Sequence, residues 1–128
     1  MPKKAITTPR AKTIGPYSAA VESGELVFVS GQIPLDPALG QLVEGDIAAQ
    51  TKQSLENLQA ILAAADLTFA HVVKTTIFLT SMGDFATVNE VYRSYMTEPY
   101  PARSTIAVAA LPMGARVEIE MIAARSAA

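Results

Sequence analysis

Between residues 26 and 79 the chain sets one amphipathic helix between two strand-like runs, and that order leaves few folds open. Leu26-Val27-Phe28-Val29-Ser30 is apolar without alternation, the pattern of a strand covered on both faces. Gly31 is expected to end it, and Gln32-Ile33-Pro34 leads into a loop with Asp36-Pro37 and Leu39-Gly40. Gly45-Asp46 then marks a helix start, with Asp46 as N-cap. Leu55, Leu58, Ile61, Leu62 and Ala65 recur at helical spacing, while Lys52, Gln53, Glu56 and Gln59 fall largely on the other side. The spacing predicts a helix from about Ile47 to about Ala65. After the connector Phe69-Ala70-His71, the β-branched run from Val72 to Leu79 reads as a strand. Strand, helix, strand implies a crossover with helices packed on one face of a mixed sheet.

The flanks extend this unit. Gly15-Pro16 is a turn that delivers Tyr17 into a strand-like run ending at Val21, and Glu22-Ser23-Gly24-Glu25 is a polar turn, so the first two strands read as a hairpin. Asp84 is placed to cap a second helix whose stripe is Phe85, Val88, Tyr92, Tyr95 and Met96, stopped by Glu98-Pro99-Tyr100-Pro101. Two period-two runs follow, Pro101 to Val108 and Val117 to Ile122, with Leu111-Pro112-Met113-Gly114-Ala115 between them. They read as one antiparallel hairpin, in which pairing Val108 with Val117 sets Arg103, Glu118 and Glu120 on one face. The expected order is strand, strand, helix, strand, helix, strand, strand: an α+β fold in one domain, 1–128, with two helices on one face of a mixed sheet. The other sheet face is left bare and apolar, carrying the Arg103 and Glu118 set, which predicts a closed homo-oligomer.

Composition removes whole classes of function. The chain of 128 residues is half apolar, with a net charge of −2 and a pI near 5.3, so it has no general attraction for nucleic acid or an anionic membrane. It has no cysteine, which excludes disulfides, thiolate metal sites and a cysteine nucleophile. The single histidine, His71, argues against a metal site or a serine–histidine relay. Gly31, Gly40 and Gly45 make no nucleotide-binding loop, and no cofactor motif is present. No apolar run is long enough to span a membrane, and the start, Met1 to Thr8, lacks a signal peptide's apolar core. A cytoplasmic location is expected. The basic cluster Lys3, Lys4, Arg10 and Lys12 reads as a solvated edge.

A few polar residues stand out. Arg103 begins a strand, and its guanidinium either forks onto a bound carboxylate or forms a structural ion pair. Glu118 and Glu120 lie on one strand face, roughly 6.5–7 Å apart; paired carboxylates raise one pKa and make a proton carrier, unless they pair with Arg103, Arg116 or Arg125. In the hairpin register Glu118 is offset from Arg103 by roughly 13 Å along the strand, so a shared pocket would draw them from neighbouring subunits or need Arg103 to fold along the strand. Tyr17 donates to an anion or buries its ring. Ser30-Gly31 offers backbone N–H groups to a ligand or is a plain turn. Asn89 lies beside the second helix's stripe, where pattern alone favours solvent.

Several motifs together are familiar. Ile14-Gly15-Pro16-Tyr17, Ser30-Gly31-Gln32-Ile33-Pro34, Gln53-Ser54-Leu55-Glu56-Asn57, Val73-Lys74-Thr75-Thr76, Phe85-Ala86-Thr87-Val88-Asn89, and Pro101-Ala102-Arg103-Ser104 with Val117-Glu118-Ile119-Glu120 closely resemble the reactive intermediate deaminase family, the RidA or YjgF-like proteins. The resemblance spans nearly the whole chain in order. It implies an α+β fold of the trimeric chorismate-mutase type, and a homotrimer with three clefts between subunits. The implied activity is cofactor-independent hydrolysis of 2-imino acids such as 2-iminobutanoate and 2-iminopropanoate, or their enamines, to 2-oxo acids and ammonia. It places the carboxylate-binding arginine on Arg103 and the water-holding acid on Glu118. Further cleft positions fall on Tyr17, Ser30, Gly31 and Asn89. The cysteine frequent two residues after the arginine is here Thr105, which argues against a thiol-dependent role while leaving backbone contacts there intact. The alternatives are a trimer that binds 2-oxo acids without turnover and an RNA-acting translation inhibitor; the acidic pI speaks against the second.

Overall fold

The computed structural model describes residues 2–128; Met1, the first residue of the segment read above for a leader, lies outside them. One six-stranded mixed sheet is built from β1 (Lys4–Ile6), β2 (Ala20–Ser23), β3 (Leu26–Gln32), β4 (Val72–Leu79), β5 (Ala102–Ala107) and β6 (Val117–Ala124). The spatial order is β1-β2-β3-β6-β4-β5. Helices α1 (Ile47–Ala64) and α2 (Phe85–Tyr95) pack against each other, with α1 resting on β3 and β6. The α+β class and the two-helix arrangement agree with the reading above.

The core follows from the periodicities. Leu55, Leu58, Ile61 and Leu62 of α1 are fully buried, as are Ile77 and Leu79 of β4, and Val117, Ile119 and Ala123 of β6. Burying each large aliphatic side chain contributes about 1.5–3 kcal/mol. Asp46 caps α1 as expected, its carboxylate accepting from the Ala49 N–H. Asp84 precedes α2 but makes no side-chain cap; its carboxylate instead pairs with Arg116 at 3.2 Å, and Ser81 caps the short turn before it.

The terminal hairpin does not form. β5 pairs in parallel with β4, and β6 pairs antiparallel with both β4 and β3. β4 therefore stands between the two runs read as neighbours. A connector of residues 108–116 is long enough to step over one strand, since adjacent strands lie only about 4.8 Å apart, and the helical crossover from β4 places β5 beside it in parallel. The crossover through α1 similarly brings β4 back parallel to β3, with β6 inserted between.

Other boundaries also shift. β2 begins at Ala20, so Tyr17 belongs to the preceding loop. β1 is an additional edge strand, too short to show a period. Gly31 does not end β3 but sits inside it, where the pairing with β6 slips between Val29 and Gln32, a bulge that re-aims the strand. β3 is covered on one face only: Val27 and Val29 are buried, while Leu26 and Phe28 are exposed on the sheet's open side.

Candidate functional site

Ladder register decides which polar groups share a face. Thr75 of β4 stands opposite Arg103 on one side and Met121 on the other. Residues directly opposite one another point the same way, so Arg103 points to the helix side with Thr75 and Met121. Phe78 stands opposite Glu118, and Thr76 opposite Glu120, so both glutamates point to the open side. The expectation of Arg103, Glu118 and Glu120 on one face is thus corrected: within one copy of the chain the arginine and the glutamates lie on opposite sides of the sheet. The hairpin register failed because it skipped β4.

On the helix side, Arg103 is held by α2. Its Nη1 donates to Asn89 Oδ1 at 2.8 Å. Its guanidinium lies 5.7 Å from the Phe85 ring centre and 5.1 Å from that of Tyr92, close enough for attraction to the ring faces. Phe85, Asn89 and Tyr92 follow helical spacing, so one face of α2 supplies all three. Tyr92 is anchored by a 2.9 Å hydrogen bond between its hydroxyl and Thr75 Oγ1; burial pushes its phenol pKa up, opposed by that bond and by Arg103. No carboxylate pairs with Arg103 among the described residues. Instead it borders an open cavity of about 360 Å3 with Asn89, Tyr92, Arg93, Tyr100 and Pro101. Asn89 is half-buried rather than solvated. Thr105 is on the same strand face two residues on, its Oγ1 buried without a hydrogen-bond partner.

On the other side, Glu118 lines a small crevice of about 50 Å3 with Lys12, Ile14, Tyr17, Gly31 and Pro112. A Cβ at position 31 would collide with the Glu118 carboxylate and lie 2.9 Å from its Cδ; only glycine admits this approach. Burial, and secondarily the Glu120 charge, push the Glu118 pKa up. Neither glutamate has an ion-pair partner among the described residues: Arg116 pairs with Asp84, and Arg125 with Glu22. Tyr17 is exposed rather than buried in the core, its hydroxyl accepting from the Ile14 N–H at 3.3 Å. Ser30 is occupied internally: its N–H donates to Ala19 O and its hydroxyl to Ser18 O at 2.7 Å. It therefore braces the loop that carries Tyr17.

The residues first singled out thus fall into two groups, Arg103, Asn89 and Thr105 on one side and Tyr17, Ser30, Gly31 and Glu118 on the other. Sequence reading assigned Phe85 and Tyr92 only to the core and passed over Arg93 and Tyr100. The signal for the first two was present in their spacing from Asn89.

The family model described as Endoribonuclease L-PSP matches residues 7–125. Protein DfrA of Myxococcus xanthus is 56% identical, covering 96% of this chain and 96% of its own. The 2-iminobutanoate/2-iminopropanoate deaminase of Mus musculus is 52% identical, covering 94% of this chain and 90% of its own. The crystal structure of E. coli TdcF with bound serine matches with a TM-score of 0.90 at 46% identity, covering 96% of this chain and 99% of that one. With matches of this extent in both sequence and fold, the chain belongs to the RidA (YjgF-like) family.

Proposed function

We propose that the protein hydrolyses 2-imino acids, of the size of 2-iminobutanoate and 2-iminopropanoate, to 2-oxo acids and ammonia. The observation that carries this is Arg103: a guanidinium with no carboxylate partner among the described residues, fixed by Asn89 and two rings, at the edge of an open cavity. A preset fork of this kind suits a substrate carboxylate. The name of the mouse relative supports the same reaction.

An imino acid already contains its electrophile. The protein has to hold the carboxylate, keep the C=N protonated and direct one water at the carbon. Water adds to C2 and gives a tetrahedral amino alcohol; the C–N bond then breaks, ammonia leaves, and the hydroxyl passes its remaining proton to that ammonia and becomes the ketone. Glu118, its pKa raised by burial, accepts the proton of the attacking water and returns it to the departing nitrogen. Holding water and imine together supplies the proximity contribution.

Arg103 and Glu118 point to opposite sides of one sheet, so both reach one substrate only if two copies contribute. The open face supplies a surface for this. Leu26, Phe28 and Ile106 are exposed there, an apolar set of the kind that closes a symmetric oligomer. We assign the protein a homotrimer with Arg103, Asn89 and Thr105 from one copy facing Tyr17, Gly31 and Glu118 from the next.

The test is a coupled assay with a threonine dehydratase that releases 2-iminobutanoate. The wild-type chain is expected to accelerate imine loss, and Arg103→Ala to return it to the uncatalysed rate with the assembly intact. Undiminished activity in Arg103→Ala would overturn the assignment; binding of 2-oxobutanoate without any acceleration by the wild type would leave a non-catalytic binder. The family model's description favours a second reading, cleavage of RNA. A phosphate-driven RNA affinity must fall steeply with salt, and RNA cleavage that survives Arg103→Ala and Glu118→Gln would place that activity elsewhere.

A further inference from the structure

The cavity beside Arg103 has more cationic character than one substrate carboxylate requires. Its lining, Asn89, Tyr92, Arg93, Tyr100, Pro101 and Arg103, holds two guanidinium groups and no carboxylate. Arg93 is four residues after Asn89 on α2 and therefore on the same helix face, about 6 Å further along the axis. Asn89 itself grips Arg103 at 2.8 Å, and both arginines line the one opening. Among the described residues Arg93 forms one ion pair, with Glu90 at 3.7 Å, both side chains largely exposed. An exposed pair at that distance is weak and easily given up. The cavity, about 360 Å3, is roomier than a four-carbon acid requires. Within one copy, a monocarboxylate at Arg103 leaves the charge of Arg93 unmet.

We infer that the cavity is a two-anion receptor: Arg103 takes the 2-carboxylate and Arg93 takes the distal acid group of a 2-imino dicarboxylic acid, the imine of an acidic amino acid. This rests on the proposed deamination and names a further substrate class for the same site. The distal carboxylate of a four- or five-carbon diacid lies one short chain from the first, so both acid groups of one molecule can enter the cavity that the two arginines line. The Arg93 guanidinium meets it with a fork that an ammonium lacks. Tyr100, exposed at the rim, offers a phenol to the same group.

The experiment compares two imines, those of 2-aminobutanoate and glutamate, each generated in place by an amino-acid oxidase, with the wild type and Arg93→Ala. It also measures binding of 2-oxobutanoate and 2-oxoglutarate by calorimetry. In Arg93→Ala the ratio of kcat/KM for the diacid to that for the monoacid is expected to fall at least tenfold, and the ratio of the two oxo-acid affinities to fall in parallel. Arg93→Lys should recover part of each ratio. Unchanged ratios in Arg93→Ala, with a melting temperature near that of the wild type, would overturn the inference. Failure of the wild type on both imines would remove the deaminase reading instead, and the 2-oxoglutarate affinity ratio would still decide whether Arg93 binds a second anion.

Discussion

At the scale of single residues, Gly31 shows how a missing side chain positions a charged one. Its backbone lies so close to Glu118 that any Cβ must displace the carboxylate. Gly31→Ala should destabilise the protein by about 1–3 kcal/mol, the usual cost of overpacking, and should lower turnover of 2-iminobutanoate; an urea midpoint and activity equal to the wild type would mean Glu118 swings away freely. Glu118 itself carries a raised pKa from burial, with Glu120 adding to it. The folded state therefore holds that proton more tightly than the unfolded chain. Stability falls as pH rises from the ordinary carboxylate range, about 4.3, through the raised value, and stays lower above it. Glu118→Gln should flatten this fall, so that urea midpoints measured from pH 4 to 8 change less than in the wild type, while turnover slows sharply. A variant that loses activity and also loses stability at pH 7 would contradict the picture of a desolvated, unpaired acid. The types of these residues were legible in the chain. Their proximity was not, because Gly31 and Glu118 are far apart in sequence and a β-bulge has no one-dimensional pattern.

At the scale of elements, the two helices separate what local signals can and cannot specify. Asp46 lies directly before a strongly periodic segment, and its carboxylate meets the Ala49 N–H at 2.9 Å. Asp46→Ala should cost about 1 kcal/mol. Asp84 looks equivalent in sequence but spends its carboxylate on Arg116, a partly exposed pair. Asp84→Ala should therefore cost about 0–1 kcal/mol, and Arg116→Ala should cost nothing further in its background. Leu58, fully buried on the inner face of α1, should cost about 2–5 kcal/mol on truncation to Ala. Chemical denaturation of the four variants checks the ranking. The helix boundaries and β4 were readable because periodicity and β-branching are properties of contiguous residues. The hairpin of β5 and β6 was misread because pairing between strands depends on what else competes for the space, and β4 occupies it.

At the scale of the whole molecule, the open sheet face and the division of polar groups between its two sides point to one arrangement. Phe28→Glu, placing a charge on the exposed apolar surface, should convert the proposed trimer to a monomer in sedimentation and abolish the proposed deamination, with secondary structure retained by circular dichroism. Arg103→Ala and Glu118→Gln, each strongly impaired alone, should regain activity when unfolded together and refolded as a mixture, because some clefts then receive an intact arginine and an intact glutamate from different copies. Absence of recovery would overturn the shared cleft. By itself the sequence determined the α+β class, the extents of both helices, the apolar strands and the residue types suited to binding an acid, all of which follow from side-chain chemistry and short-range periodicity. Only the tertiary structure decided that β6 lies between β3 and β4 and that Arg103 faces α2 while Glu118 faces the open side. Sheet order is chosen by long-range pairing and helix crossover, and a shift of one strand reassigns every neighbour that a linear pattern would suggest.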